Sequence, residues 1–303
     1  MDIVQKTFTS VLAPAPPFSW FDLPISTIDV VGALRLALVM RQLKEMVAAA
    51  QARQSAELKG SQPASARWEE PSYVKDMFML LTVVYGGEIV SSSLLGLIPS
   101  FIPSPVYTGL FLGAGTVIAL LPTVPTPSFS IELPLALLDG FTRALLLCNF
   151  IPPLVLKHSN PAISTSPWSL LLISLITANG GFFFVNLFSM LNPTGWSVAT
   201  PPEVSRYGWT TLDLWIAPVI TGLYSFWTHA QPFWAEAHAA VLGYVNTGDE
   251  VLLKALAVEP EVARARCAVI MAILFAGRAV NNFGYAWWKQ VKAGPPVIKE
   301  KTQ

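Results

Sequence analysis

Two ionisable residues, Asp139 and Arg143, interrupt an apolar stretch at residues 131–150. A charge at membrane depth costs about 2.5 kcal/mol or more, so such residues usually face a partner or a water-filled cavity. Because they are four positions apart, a helix places them on one face with the acid first, the favourable order for an ion pair. They either neutralise each other inside a helix bundle or line a polar pathway, and both alternatives are open at this point.

The composition of the chain is that of a helical membrane protein. Of the 303 residues, 53% are hydrophobic and only 13% are charged, whereas soluble proteins carry about 25% charged residues. A bilayer-spanning helix needs about 20 residues. By that measure we predict an all-α membrane protein with seven transmembrane helices, called spans 1 to 7, at residues 23–39, 78–98, 107–121, 133–152, 168–190, 211–227 and 266–288.

The distribution of Lys and Arg predicts the orientation of these spans. The loops after spans 1, 3 and 5, together with the C-terminal tail, carry most of the basic residues. The positive-inside rule then places the N-terminus in a lumen and the C-terminus in the cytosol. Residues 1–20 form an N-terminal segment, residues 21–289 the transmembrane domain, and residues 290–303 a polar cytosolic tail.

Spans 1–3 resemble spans 4–6 in order and in detail, which predicts an internal repeat. At an offset of 110 positions, Asp22, Leu23, Pro24 and Asp29 recur as Glu132, Leu133, Pro134 and Asp139. We expect repeat one at residues 21–124 and repeat two at residues 131–228, with a helix-seven region at residues 262–288, which includes span 7, outside the duplication. Because each unit has an odd number of spans, the two units must be inverted, and inverted repeats commonly place a pathway near the membrane midplane.

Paired glycines lie in the middle of spans 2 and 5. Glycine weakens a helix by roughly 1 kcal/mol relative to alanine, and it lets another backbone approach closely. The pairs therefore indicate close packing of span 2 on span 5, a kink that opens carbonyls toward a pathway, or both. Adjacent polar residues favour the kink beside a pathway, so the predicted pathway residues are Arg143, Asp139, Gly86, Gly87, Glu88, Asn179, Gly180 and Gly181.

Several classes of function are disfavoured by what the sequence holds. Zero net charge gives no basic surface for nucleic acid. The two cysteines and three histidines form no metal-binding motif. No nucleophile–base arrangement, phosphate loop or pair of catalytic carboxylates is recognisable, so we expect no enzyme activity, no resident metal and no cofactor.

The chain resembles the trimeric intracellular cation (TRIC) channel family, as a divergent, fungal-type member. The resemblance covers residues 20–288 and rests on the repeat plan, on Phe21-Asp22 at the start of span 1, and on the glycine-containing segments VVYGGEIVSSSLLG and ITANGGFFFVN. Span 4 of the family carries a Lys-Glu-x-x-Arg motif, of which only the arginine carries over, onto Arg143; the lysine and glutamate positions are Asp139 and Gly140 here.

This resemblance implies a homotrimer with one pore in each subunit. It also implies passage of monovalent cations, mainly potassium, that balances charge during calcium release across an endoplasmic reticulum membrane. The family's basic residues in span 4 are associated with phosphoinositide lipid, which makes Arg143 the candidate lipid-binding residue. Two other hypotheses are a small-solute transporter built on the same repeats and a non-conducting membrane scaffold.

Overall fold

The computed structural model describes residues 2–16, 18–58, 69–205, 212–245 and 256–293, and within these ranges the chain is helical without a β-strand. Three helices are long and apolar enough to cross a membrane, namely Tyr73–Leu95, Pro167–Leu187 and Pro260–Gly284, and the apolar helix Val106–Leu120 is shorter. The prediction of a helical membrane protein is therefore supported at this coarser level.

The helices are named in chain order, and each predicted span corresponds to one of them or to a continuous series. They are α1 (Asp2–Leu12), α2 (Thr27–Leu58), α3 (Tyr73–Leu95), α4 (Val106–Leu120), α5 (Phe129–Leu145), α6 (Ile151–Leu156), α7 (Pro161–Ser164), α8 (Pro167–Leu187), α9 (Leu212–Thr228), α10 (Pro232–Val245), α11 (Pro260–Ala279) and α12 (Tyr285–Ala293). Single π-helical turns at Leu146–Phe150 and Val280–Gly284 join α5 to α6 and α11 to α12.

Helix α2, which contains span 1, begins four residues later than the sequence predicted and continues far beyond the apolar stretch. Ser26 precedes its first turn, and the Asp29 carboxylate accepts hydrogen bonds from the Ser26 backbone N–H (2.9 Å) and hydroxyl (2.6 Å). This is the reciprocal capping arrangement of a helix N-terminus. Asp29 is therefore a capping residue at the helix start, not a charge in mid-membrane.

Span 4 does not end at Pro152 and Pro153 as the sequence suggested. The π-helical turn after α5 leads directly into α6, and the two prolines occupy the first turn of that helix. Because the helix is continuous here, the prolines leave carbonyls of the π-helical turn without a backbone donor, and the Thr221 hydroxyl donates to the Leu147 carbonyl instead (3.1 Å). Span 7 likewise continues past its predicted end at residue 288, through α12 to Ala293.

Two buried clusters hold the bundle together. One joins α5, its π-helical turn, α8, α9 and α11, with Leu147, Ile220 and Phe275 almost fully buried. The other joins α2, α3, α4 and the end of α8. Helix α11 packs along α5, where the Cβ of an alanine at Gly140 would lie only 2.6 Å from the Ala272 backbone nitrogen. Span 7 is thus packed directly on span 4.

The N-terminal segment contains a helix that the sequence reasoning missed. Helix α1 precedes a proline-containing stretch, and Val11 and Leu12 at its end pack against the first buried cluster. Helix α2 continues beyond span 1 as a polar helix to Leu58, and α10 forms a further helix between spans 6 and 7.

Candidate functional site

The candidate site consists of two groups of charged side chains around helix α5, and the first of these groups has an excess of carboxylates. The Arg35 guanidinium of α2 lies between two carboxylates of α5, with Nη2 at 2.9 Å from Glu132 Oε2 and 3.2 Å from Asp139 Oδ2. Arg35 Nε is also 3.3 Å from Asp139 Oδ1. The side chains are 9%, 15% and 24% exposed, respectively. This acidic triad contains one more carboxylate than guanidinium.

A second group has the opposite balance of charge. The Asp213 carboxylate of α9 accepts a 2.5 Å hydrogen bond from Arg278 of α11 and lies 3.9 Å from Arg143 Nη2 of α5. Both guanidinium groups also approach the ring of buried Phe275, at 4.8 Å for Arg278 and 5.9 Å for Arg143. This basic triad contains one more guanidinium than carboxylate, so the formal charges of the two triads cancel.

Asp139 and Arg143 therefore have their described ion-pair partners on other helices, and not in each other. A separation of four residues corresponds to about 6 Å along the axis, so the two triads are about one turn apart on α5. Arg35 and Arg143 each hold one buried guanidinium nitrogen, Nη1, without a hydrogen-bond partner in the described part of the chain. Each guanidinium therefore has a donor beyond the ion pairs that are formed.

The glycine pairs form the contact between α3 and α8. A Cβ at Gly87 would lie 2.2 Å from the Thr177 carbonyl oxygen, and one at Gly181 would lie 2.0 Å from the Val83 carbonyl oxygen. No side chain fits at such distances, so the backbones touch directly. Both helices are continuous through their glycines. The four glycines thus face a neighbouring backbone, which is the close packing that the sequence indicated. A kink that opens carbonyls toward a pathway stays a prediction.

The remaining predicted pathway residues bind neighbouring segments. Glu88 accepts hydrogen bonds from the Ser100 backbone N–H and from the Ser100 hydroxyl (3.0 Å), which ties α3 to the connection leading to α4. Asn179 donates to the Leu175 carbonyl (2.9 Å) in its own helix and more weakly to the Leu214 carbonyl (3.4 Å) of α9. Of the predicted pathway residues outside the glycine pairs, only Asp139 and Arg143 therefore belong to the charged site on α5.

Sequence reasoning had placed the acid–base partners on one helix and did not pair residues across helices. The sequence alone did not identify Glu132, Arg35, Asp213 or Arg278 as partners of Asp139 and Arg143. No local signal in the sequence pairs these residues, because pairing across helices depends on helix rotation and spacing. Arg278 also attaches span 7 to the bundle, through its ion pair with Asp213.

The described residues offer no cluster of three or more His, Cys, Asp or Glu side chains that could hold a metal ion. What the site provides is two adjoining fields of opposite sign inside a helix bundle, which can attract, repel or order small ions. No family model, curated protein or solved structure matches this chain. Function must therefore be argued from the residues of the site.

Proposed function

We propose that this protein is a TRIC-like channel for monovalent cations, mainly potassium, in an intracellular membrane. The observation that carries the proposal is the pair of charged triads on α5. Six ionisable side chains from α2, α5, α9 and α11 converge in a chain with only 13% charged residues. Charges within membrane helices are rare and usually mark ion pathways or proton relays.

The reciprocal helix contacts support the proposed inverted repeat. Matching the glycine pair of span 2 with that of span 5 relates Gly86 to Gly180 and Gly87 to Gly181. A Cβ at Gly86 would lie 3.0 Å from the Gly181 Cα, whereas one at Gly180 would lie 2.7 Å from the Gly87 Cα. A two-fold axis between the repeats would exchange these two contacts. Such an axis is what two inverted three-helix units require.

A second contact supports the same axis between α2 and α5. At the offset of 110 positions, Gly32 corresponds to Thr142. A Cβ at Gly32 would lie 3.3 Å from Thr142 Cγ2. A residue that touches its own repeat counterpart lies on the axis that relates the repeats. In the proposed seven-span arrangement, α5 would therefore cross α2 at the centre of the domain, with a triad on either side of the crossing.

The charges suggest how the pathway would select its ion. The acidic triad would raise the local concentration of cations, because its excess carboxylate is held in a partly dry environment where Coulomb interactions are strong. The basic triad would oppose cation passage one turn further along α5. Conduction would then depend on the balance between Asp139 and Arg143, so that the first attracts potassium and the second limits its residence.

The proposal includes the assembly and the lipid that the family resemblance implies. Three copies would form a homotrimer in the endoplasmic reticulum, with a pore in each subunit that supplies counter-ions during calcium release. Arg143 is the residue that would contact a phosphoinositide headgroup, through the guanidinium donor that has no partner in the described chain. Asp139 at the family's lysine position makes this lipid interaction weaker than a cationic pair would give.

Recording in planar bilayers tests the proposal. The purified protein in a potassium chloride gradient should show unitary currents with a reversal potential near that of potassium. Asp139→Asn should lower potassium conductance roughly two- to tenfold, because it removes the excess negative charge of the acidic triad. Arg143→Ala removes a positive charge and should therefore raise the selectivity for cations over anions. Glu57→Gln, at the exposed end of α2, is the matched control for loss of a carboxylate.

The alternatives predict other results. Saturable solute flux without unitary currents would favour the transporter, and absence of any flux with the protein intact would favour the scaffold. If Asp139→Asn and Arg143→Ala both conduct like the unchanged protein, the two triads hold helices together and take no part in conduction.

A further inference from the structure

A pair of histidines lies outside the charged site and joins the end of α9 to α10. His229 Nε2 and His238 Nδ1 are 2.8 Å apart, within hydrogen-bonding distance, and the ring centroids are 5.1 Å apart. Both side chains are half-buried. The His238 ring also packs on Phe226 of α9 at 4.5 Å. The contact therefore fixes the second turn of α10 against the last turn of α9.

The surroundings of the pair are held in place independently. His229 follows the last residue of α9 and adopts a left-handed backbone conformation, with φ of 52°. The first turn of α10 is anchored by Gln231, whose side-chain amide donates to the carbonyls of Ser164 (2.7 Å) and Ser166 (3.1 Å). The histidine contact is thus the polar attachment of the second turn, while Gln231 keeps the helix start in position.

Counting protons shows why this contact depends on pH. In a neutral pair one facing nitrogen carries the hydrogen and the other accepts it. A first additional proton leaves one imidazolium that still donates to a neutral ring. A second additional proton places hydrogens on both facing nitrogens, so the hydrogen bond is lost and two like charges face each other. The two protonation steps belong to the pair as a whole.

We propose that His229 and His238 form a pH-sensitive clip that holds α10 on α9 near neutral pH and releases it when both rings are protonated. The Phe226 ring can stabilise a single imidazolium through its π-face, but it offers nothing to a second one. Release therefore belongs to the second protonation. The clip lies outside the predicted spans, and its action is independent of the proposed ion pathway.

Other charged groups on the neighbouring elements do not replace this pair. Glu236 lies on α10 itself and is exposed, Arg266 of α11 covers the Trp227 ring at 5.6 Å, and Glu259, Glu261 and Arg264 lie at or near the start of α11. Helix α7 and the first turn of α8 carry no ionisable side chain. Within the described part of the chain, His229 is the titratable neighbour in contact with His238, at 2.8 Å.

The sign of the pH effect follows from His238. Burial, and then the neighbouring His229, lower the pKa of His238 below its ordinary value of 6.5. A histidine whose pKa is lowered by docking binds fewer protons in the docked state. The docked arrangement is therefore fully stabilised above pH 6.5 and loses stability as the pH falls below that value.

Hydrogen exchange of the full chain in nanodiscs tests the clip. Protection factors, each corrected for the intrinsic exchange rate at its pH, are measured for α10 and α11 at pH 7.5 and pH 5.0. We expect protection of α10 to fall about tenfold at pH 5.0, because like charges are brought into contact, while protection of α11 stays constant. His238→Gln should abolish this pH response, since glutamine does not titrate.

His158→Gln is the matched control, because His158 binds the Leu95 carbonyl at 3.0 Å in another part of the bundle and should leave the response of α10 intact. A second readout does not depend on a variant: with only three histidines in the chain, histidine NMR should show two coupled titrations, one midpoint below 6.5. Equal α10 protection at both pH values, or independent titration of all three histidines, would overturn the proposal.

Discussion

At the scale of single residues, the charges of this protein are arranged between helices and not along them. Arg35 is shared by two carboxylates of α5, and Asp213 is shared by two arginines. Desolvation of a buried ion is costly and is recovered only when the geometry and the remaining hydrogen bonds are good. Sharing leaves each triad with an excess charge, so these residues contribute a local field as well as a link between helices.

The acidic triad makes a specific prediction about stability. Arg35→Gln should destabilise the protein by about 3 kcal/mol, because it leaves Glu132 and Asp139 close together without a cation. Asp139→Asn should cost less, since Arg35 keeps Glu132 as a partner at 2.9 Å. Thermal unfolding in detergent checks the order, followed through a thiol-reactive dye that reports exposure of the buried Cys148 and Cys267.

A control for the same helix is available in Arg53, which is exposed near the end of α2. Arg53→Gln should leave the unfolding temperature nearly unchanged, as is usual for exposed substitutions. If Asp139→Asn proved more damaging than Arg35→Gln, the arginine would not be the shared centre of the triad, and the two carboxylates would have to be stabilised by other groups.

At the scale of elements, the contact between α3 and α8 depends on the absence of side chains at four positions. Along each helix, two consecutive glycines supply a surface onto which the other backbone fits, and small residues are the usual means of close helix approach in membranes. The shortest of these distances is the 2.0 Å between a Cβ placed at Gly181 and the Val83 carbonyl oxygen. Helix separation is therefore set by the glycines themselves.

Gly181→Ala should destabilise the bundle by at least about 1–3 kcal/mol, the usual cost of overpacking a well-packed contact. Its Cβ would meet a backbone carbonyl at 2.0 Å, which cannot move aside as a flexible side chain would. The measurement is the same dye-reported unfolding temperature. Gly277→Ala on α11 is the control, because a Cβ there meets no atom within 4 Å and alanine favours the helix.

A Gly181→Ala variant as stable as the unchanged protein would mean that α3 and α8 can separate without loss. Their contact would then not determine the packing of the bundle.

The elements also show what the sequence could and could not predict. Long apolar segments correctly predicted helices, and the glycine pairs correctly indicated the α3–α8 contact, while the count of seven spans stays a prediction. The ends of the helices were less accurate: Ser26 and Asp29 delay the start of α2, and π-helical turns carry spans 4 and 7 past residues that usually end a helix. Pairing across helices, as between Arg35 and Glu132, depends on helix rotation and spacing, which a single sequence does not encode locally.

At the scale of the whole molecule, the outstanding question is how many times the chain crosses the membrane. Among the helices that the structure describes, α3, α8 and the α11 segment are the ones long and apolar enough to cross a membrane by themselves. Helix α2 is interrupted by charges, and α5 and α9 contain 17 residues each with an internal proline. In the seven-span proposal these helices would cross as well, because their charges are satisfied within the bundle rather than by water.

The ends of the bundle support an orientation for seven spans. Arg41 of α2 donates hydrogen bonds to the Ile118 and Leu121 carbonyls at the C-terminus of α4, so the basic part of α2 lies level with the end of span 3. Near the start of α3, at the same end, Lys44 pairs with Asp76 and Lys75 pairs with Glu69. Basic residues collect on the cytosolic side of membrane proteins, which favours the cytosol for this end.

Cysteine labelling in sealed microsomes distinguishes a chain that crosses the membrane seven times from one that crosses it three times. Ala52→Cys near the end of α2 and Ala240→Cys on α10 both introduce an exposed thiol, and the native Cys148 and Cys267 are buried, so background labelling is low. Seven spans put five crossings between positions 52 and 240, and therefore opposite sides. With α3 and α8 as the only crossings between them, both positions would be on the same side.

We therefore expect a membrane-impermeant maleimide, added to the cytosolic face, to label Ala52→Cys at once and Ala240→Cys only after permeabilisation. The unsubstituted chain gives the background in each condition. Labelling of both thiols before permeabilisation would exclude the inverted repeat, since two three-span units cannot then face opposite ways. The pathway beside α5 would lose its basis as well, because α2, α5 and α9 would no longer cross the bilayer together, and their two triads would instead hold a peripheral helix layer onto a three-helix anchor.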